Sequence, residues 1–247
     1  MSDAVSQAVP QAVPQVDLGL SFRGLTADPE WFKKYALIGL VLMIPVVGWI
    51  IWMGWLRRVY DLAKQGDIET LPELDLGEDL SYGLTPLLAA LNLAVPAGVL
   101  MVCVWVAMMV LVLIGSAIDG GSNHGGAGGM IAGLGMLVLY PMMFILIIAM
   151  NVLVPELWRR GFNGEAMPLL SPMQSVHAIR RRLGAYFTVL LGMFVANMIA
   201  SLGAFACYVG MFVTMPMGMV IVVRLLAQWD AVVEHARIEA GELDPTG

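Results

Sequence analysis

The chain has 247 residues, of which 59% are hydrophobic and only 13% are charged. Because about a quarter of the residues in a soluble domain are charged, this composition excludes an ordinary soluble protein and indicates apolar surface that faces lipid. The formal net charge of −6 argues against nucleic acid as a partner.

The chain opens with a polar stretch that proline interrupts, in which Gln7-Ala8-Val9-Pro10 is repeated as Gln11-Ala12-Val13-Pro14. Such a segment cannot bury a core, and it lacks the basic and apolar regions of a signal peptide. We therefore expect a disordered tail over residues 1–27, a helical membrane domain over residues 28–235 and a polar C-terminal tail over residues 236–247.

The first hydrophobic segment follows a predicted helix start at Asp28-Pro29-Glu30-Trp31, where Asp caps the helix and Pro suits its first turn. Residues 35–56 would form about 33 Å of helix, enough for one crossing. Pro45 and Gly48 lie near the middle, so the segment either spans with a kink or returns as a re-entrant hairpin. We favour the span, because lipid tolerates irregular backbone only where protein covers it.

Two further segments follow in chain order. Residues 84–115 form the second, which contains Pro96 and is longer than one crossing needs, so we expect its opening part to lie along the interface. A glycine-rich loop with almost no charge then leads to the third segment, residues 130–155.

The last two segments begin after Ser171-Pro172-Met173-Gln174, which has the form of a capping box with proline at the first turn. The predicted helix enters the membrane at Gly184. Residues 189–223 contain no charged residue and exceed the thickness of a bilayer, so the chain must turn and return as a fifth segment. Arg224 ends this run, and we expect it to snorkel toward the interface. The predicted fold is an all-α, polytopic integral membrane bundle of about five hydrophobic segments.

Basic residues predict the orientation. The loops over residues 57–83 and 156–183 contain three and five of them, whereas residues 116–129 contain none. The positive-inside rule therefore places the first two loops and the C-terminus in the cytoplasm of a bacterial inner membrane. The N-terminus is outside if the first segment spans and inside if it is re-entrant.

Three short motifs resemble a widespread family of prokaryotic multi-pass membrane proteins that is catalogued as a domain of unknown function. The resemblance covers most of the chain after the tail. It implies a helical integral membrane protein of bacteria or archaea, without catalytic residues to carry over. The motifs are Asp28-Pro29-Glu30-Trp31, Ile44-Pro45-Val46-Val47-Gly48 with Gly54, Arg57 and Arg58, and Leu71-Pro72-Glu73-Leu74-Asp75 with Gly83 and Leu84.

The two loops predicted to be cytoplasmic differ in charge, with net −4 over residues 57–83 and net +3 over residues 156–183. Either the loops meet within or between subunits, or the arginines bind anionic lipid headgroups, which attract basic residues by about 1 kcal/mol each. The alternative is a topological signal beside a solvated acidic loop. The candidate lipid- or partner-contacting residues are Arg159, Arg160, Arg180, Arg181 and Arg182.

Polar side chains inside the predicted spans are candidates for a transport path. Asn92, Asn151 and Asn197 are expected either to bond across helices or to line such a path. Acidic residues are missing from the deep parts of the segments, which argues against an ion-coupled carrier. A passive channel or uncoupled transporter stays open, because prolines supply the broken helices that such proteins use.

The sequence contains no motif typical of an enzyme or a cofactor site. The glycine-rich loop lacks the Lys-Ser/Thr pair of a phosphate-binding loop. Its His124 has only Asp119 and Asn123 nearby as a weak metal-ligand set, so a solvated histidine is the better interpretation. Cys103 and Cys207 lie in apolar segments without metal-ligand spacing. We therefore expect no enzyme activity, no cofactor and no metal.

The sequence favours a non-enzymatic membrane protein that organises lipid or partner proteins. Its expected partners are the lipid bilayer, anionic lipids, and a second copy or another membrane protein. The alternative function is a passive channel or an uncoupled transporter for a small solute.

Overall fold

The computed structural model of the chain describes residues 14–118, 126–205 and 210–242. Within these ranges the chain is helical and contains no strand, which confirms the predicted all-α membrane fold. Some sequence predictions concern residues outside these ranges, namely residues 1–13, Asp119, Asn123, His124 and Cys207. The helices are α1 (Leu18–Arg23), α2 (Trp31–Val41), α3 (Val47–Lys64), α4 (Leu76–Ile118), α5 (Ala127–Phe162), α6 (Pro172–Arg181), α7 (Leu183–Phe205) and α8 (Met211–Glu239).

Four helices in the described chain are long and apolar enough to cross a membrane, where the sequence predicted about five segments. They are Leu76–Ile118, Gly133–Phe162, Leu183–Ala204 and Met211–Glu239. In the first two, only 6% and 0% of the most apolar window is buried inside the protein. Lipid must therefore cover these surfaces, because water would leave them exposed at a large free-energy cost. The chain is a multi-pass membrane protein.

Residues 35–56 do not form one continuous helix. Helix α2 ends at Val41 and α3 begins at Val47, so the segment is broken. The break contains Pro45, which removes a backbone donor, and Val46, whose φ of 65° is rare for a β-branched residue. At about 16 Å, α2 reaches only half-way through a bilayer. The break lies beside Pro45 and Gly48, where both the kinked span and the re-entrant hairpin were predicted to change direction.

The described chain divides into two compact units. Among the described residues, the first comprises 14–43, 58–74, 177–205 and 210–242. In it α8 packs against α7, α2 and α1, and the buried residues of α8 lie between Pro216 and Ala236. The second comprises residues 44–57, 75–118 and 126–176. There α5 packs along α4, and the first part of α4 contacts α3.

The helical part of the first unit begins earlier than residue 28, where the sequence placed the start of the membrane domain. Asp17 caps α1 by accepting a hydrogen bond from the amide of Leu20. Gln228 of α8 accepts from the amide of Asp17 at 2.6 Å and donates to the hydroxyl of the buried Ser21 at 2.9 Å. At the other end, α8 continues to Glu239, past residue 235.

Candidate functional site

Arg160 is the centre of the most elaborate polar network in the described chain. It lies in the last turn of α5, where a cation is favoured by the partial negative charge of the helix end. Its side chain is almost fully buried, with 5% of the residue exposed. The guanidinium donates to both carboxylate oxygens of Glu165, with Nε–Oε2 and Nη2–Oε1 distances of 2.7 and 2.5 Å. This bidentate geometry is the strongest form of such a pair.

The same guanidinium also fixes the chain that follows. It donates to the carbonyl and the hydroxyl of Ser171 at 3.0 and 2.6 Å, to the hydroxyl of Ser175 at 2.9 Å, and to the side-chain oxygen of Gln174 at 3.2 Å. We call residues 163–175 the Arg160 loop. One buried cation thus joins the two ends of the loop, because it binds Glu165 on one side and residues 171–175 on the other.

Two local features let the Arg160 loop leave α5. Gly164 has a φ of 96°, the left-handed conformation that commonly ends a helix and that glycine adopts without strain. The amide of Glu165 then donates to the carbonyl of Arg160 at 3.0 Å. A short 3₁₀ turn, Pro168–Leu170, leads on to α6.

Asn92 belongs to this assembly. Its side-chain oxygen accepts a hydrogen bond from the amide of Leu169 at 3.0 Å, which fastens the 3₁₀ turn to α4. Asn151 and Asn197 instead donate to the carbonyl oxygens of Ile147 and Met193, one turn back on their own helices. Their side chains are exposed. No hydrogen bond joins the three predicted polar residues within the described chain.

Three of the other four candidate arginines are paired. Arg159 forms a bidentate pair with Glu156, at 2.9 and 2.7 Å. Arg181 and Arg182 pair with Glu242 and Glu239 near the C-terminal end of α8. The hydrogen bond from Arg181 holds the pKa of Glu242 below its usual range.

Arg180 differs from the other candidate arginines, because it is exposed and has no hydrogen-bond or ion-pair partner among the described residues. The carboxylates that pair with Arg159, Arg160, Arg181 and Arg182 all lie outside residues 57–83.

The acidic loop uses its carboxylates as local caps. Asp67 accepts from the amides two and three residues further on, at 3.1 and 3.0 Å. Hydrogen bonds from the amide and hydroxyl of Thr70 hold the pKa of Asp67 below its usual range. Asp75 caps α4 in the same way, with two amide contacts of 3.0 Å. These carboxylates stabilise turns of the chain that carries them.

Sequence reasoning misplaced Arg224. Its expected position was at the interface, whereas only 1% of the residue is exposed and both Nη atoms lack a hydrogen-bond partner in the described chain. A Cβ at Gly24 would lie 2.6 Å from Nη1 and 1.9 Å from the carbonyl oxygen of Ile68, so only glycine fits beside it. In the sequence, Arg224 stood out only as the charged residue that ends the apolar run. Its burial could not be predicted from that, because it depends on the packing of α1 and α2 over α8.

The described residues contain no group of three or more His, Cys, Asp or Glu side chains placed to hold a metal ion. Cys103 is an exposed thiol on α4.

A comparison with protein families matches residues 37–209 to the family described as "Protein of unknown function (DUF4013)". The chain belongs to this family. The DUF4013 match includes Asn92 and the whole Arg160 loop, whereas α1 and α8, with Arg224, lie outside it. Comparisons with curated proteins and with solved structures gave no match.

Proposed function

We propose that the protein is a non-enzymatic component of a bacterial cytoplasmic membrane that organises lipid or partner proteins at the cytoplasmic face. One observation carries the proposal. The buried Arg160 satisfies the polar groups of the Arg160 loop internally, so the surface that the loop presents is a fixed contact surface. A reactive site would instead keep polar groups free to meet a substrate.

The proposed orientation follows from the helix count and the basic residues. With four spans, residues 65–75, the Arg160 loop and the C-terminal end all lie on one side of the membrane. The positive-inside rule makes that side the cytoplasm, because Arg159, Arg160 and Arg180 to Arg182 flank the spans there.

Arg180 is the basic residue best suited to an anionic headgroup. Arg181 and Arg182 are paired with carboxylates, so their charges are largely compensated, whereas the charge of Arg180 is not. Attraction of about 1 kcal/mol for one basic residue corresponds to about a fivefold preference for anionic over neutral lipid.

The test replaces Arg180 by Glu and measures which lipids stay bound to the protein after extraction from mixed anionic and neutral membranes. We expect Arg180→Glu to lower the anionic enrichment about fivefold or more. The double variant Arg182→Glu with Glu239→Arg keeps an ion pair and the net charge, so its enrichment should match that of the wild type. Unchanged lipid and protein partners in Arg180→Glu would overturn the proposal.

A passive channel or uncoupled transporter has less support. That function needs Asn92, Asn151 and Asn197 to form a polar path, but Asn92 bonds to the Arg160 loop and the other two bond to their own helices. Solute flux in reconstituted vesicles that is lost on Asn151→Leu would reverse this ranking.

A further inference from the structure

Large apolar side chains are exposed on the Arg160 loop, outside every candidate span. Met167, Leu170 and Met173 are 58%, 76% and 70% exposed. The three lie within seven consecutive residues, and Leu170 is the most exposed large hydrophobic residue in the described chain. Exposing these apolar side chains to water would cost free energy. Polar residues would avoid that cost in a loop between two charged helix ends. We call these three residues the apolar tip.

The fold holds the apolar tip outward. Glu165, Ser171, Gln174 and Ser175 are all fixed by Arg160, and Leu169 is fixed by Asn92. Each exposed side chain of the tip therefore lies one or two residues from a residue that is hydrogen-bonded to Arg160 or Asn92. Turning the tip inward would break these hydrogen bonds. The conformation is set before any contact forms, so little further ordering is needed on binding.

The position of the loop in the chain indicates which surface the apolar tip contacts. Helix α5 ends at Phe162, five residues before Met167, and α5 is a candidate span whose most apolar window is wholly unburied. The residues at the end of α5, from Pro155 to Phe162, are mostly buried, so the lipid-facing surface of α5 ends before them and the tip emerges just beyond the end of the span. At these distances from the end of a span, the boundary between headgroups and acyl chains lies within reach.

We propose that the apolar tip inserts into the cytoplasmic leaflet at this boundary and that the occupant of its surface is lipid. The inference rests on the membrane orientation of the proposed function, but it does not depend on the preference of Arg180 for anionic lipid. Methionine suits the role because its unbranched and flexible side chain adapts to a disordered surface, and leucine adds apolar area. The tip anchors the cytoplasmic end of α5 in the leaflet.

The test measures the depth of a fluorophore on the apolar tip. In full-length protein with Cys103→Ala and Cys207→Ala, a single cysteine at Leu170→Cys carries an environment-sensitive dye, and the protein is reconstituted into nanodiscs. Emission is then quenched either by lipids with a spin label high on the acyl chain or by acrylamide in the water. We expect the spin-labelled lipids to quench several-fold more strongly than acrylamide.

Glu69→Cys provides the matched control, because Glu69 is also exposed, lies on the same proposed side and is polar. Its dye should be quenched by acrylamide and not by lipid. Met173→Cys gives a second position on the apolar tip and should behave like Leu170→Cys.

Quenching of both tip dyes by acrylamide, as at Glu69→Cys, would overturn the insertion of the tip. Protection from both quenchers would also overturn it, because the surface would then be covered by protein. Unchanged lipid and protein partners in Arg180→Glu, together with strong quenching of both tip dyes by lipid, would overturn the proposed function and still support insertion of the tip.

Discussion

Gly54 in α3 lies directly against the backbone of Asp79 in α4, since a Cβ at residue 54 would be 1.8 Å from the Asp79 carbonyl oxygen. The relationship is reciprocal. A Cβ at Gly83 in α4 would lie 1.7 Å from the carbonyl oxygen of Ile50 in α3. One glycine on each helix thus allows the two backbones to touch, which is how small residues bring membrane helices together.

Gly83→Ala is expected to destabilise the protein by about 1–3 kcal/mol or more, because the new methyl group meets backbone that cannot rotate away. The matched control is Gly98→Ala on the same helix, where a Cβ meets nothing within 4 Å. That change should be neutral or stabilising by up to about 1 kcal/mol, since alanine favours helix over glycine. Thermal unfolding in detergent measures both. Equal unfolding temperatures for the two variants would contradict the close crossing.

Arg160→Met is expected to destabilise the protein by about 3–5 kcal/mol, because it leaves Glu165 and the serine hydroxyls without their donor. Arg180→Met removes an exposed and unpaired cation, so its effect should stay within about 0.5 kcal/mol. Thermal unfolding gives the stabilities, and limited proteolysis should cut residues 163–175 first in Arg160→Met. If the loop stays resistant in that variant, Arg160 is not what fixes it.

The three asparagines are expected to differ in their contribution to stability. Asn92→Leu leaves the amide of Leu169 without an acceptor and should cost about 1–3 kcal/mol. Asn151→Leu and Asn197→Leu remove only a bond to the preceding turn of the same helix, so each should change stability by less than about 0.5 kcal/mol. Unfolding in detergent separates the cases. A cost at Asn151 as large as that at Asn92 would show that Asn151 has a partner beyond its own helix.

Arg224→Met is expected to leave the stability unchanged or to raise it, because the guanidinium is buried without a hydrogen-bond partner and methionine has a similar length. Arg224→Lys keeps the charge and should not stabilise the protein. The comparison uses unfolding temperatures at constant pH. A loss of more than about 2 kcal/mol in Arg224→Met would indicate that the electrostatic attraction between Arg224 and the nearby Asp67 stabilises the fold.

Much of the architecture could be predicted, because the segments that cross lipid are recognisable from local stretches of apolar sequence. The apolar runs around residues 84–115, 130–155 and 189–223 all lie on candidate spans, since hydrocarbon thickness and helix rise determine what can cross. Hydropathy did not detect the break at Pro45 and Val46, because the residues on both sides are apolar whether the helix continues or stops.

The polar assembly was harder to predict. Arg160 was correctly singled out as a candidate residue, but the acceptors at Glu165, Ser171 and Ser175 have no helical spacing relative to it. They converge only because the loop turns back on the end of α5. Asn92 is 77 residues from Leu169 in the chain, and the packing of α4 on α5 determines their contact.

The most direct test of the account is the sidedness of three positions that the four spans place on one side of the membrane. Single cysteines at Glu69→Cys, His177→Cys and Ala240→Cys, three exposed positions outside the apolar tip, are made without Cys103 and Cys207. They are treated with a membrane-impermeant maleimide in right-side-out and in inverted vesicles. We predict that all three react only in inverted vesicles. Reaction of any one of them from the outside would contradict the four-span arrangement and the cytoplasmic contact surface built on it.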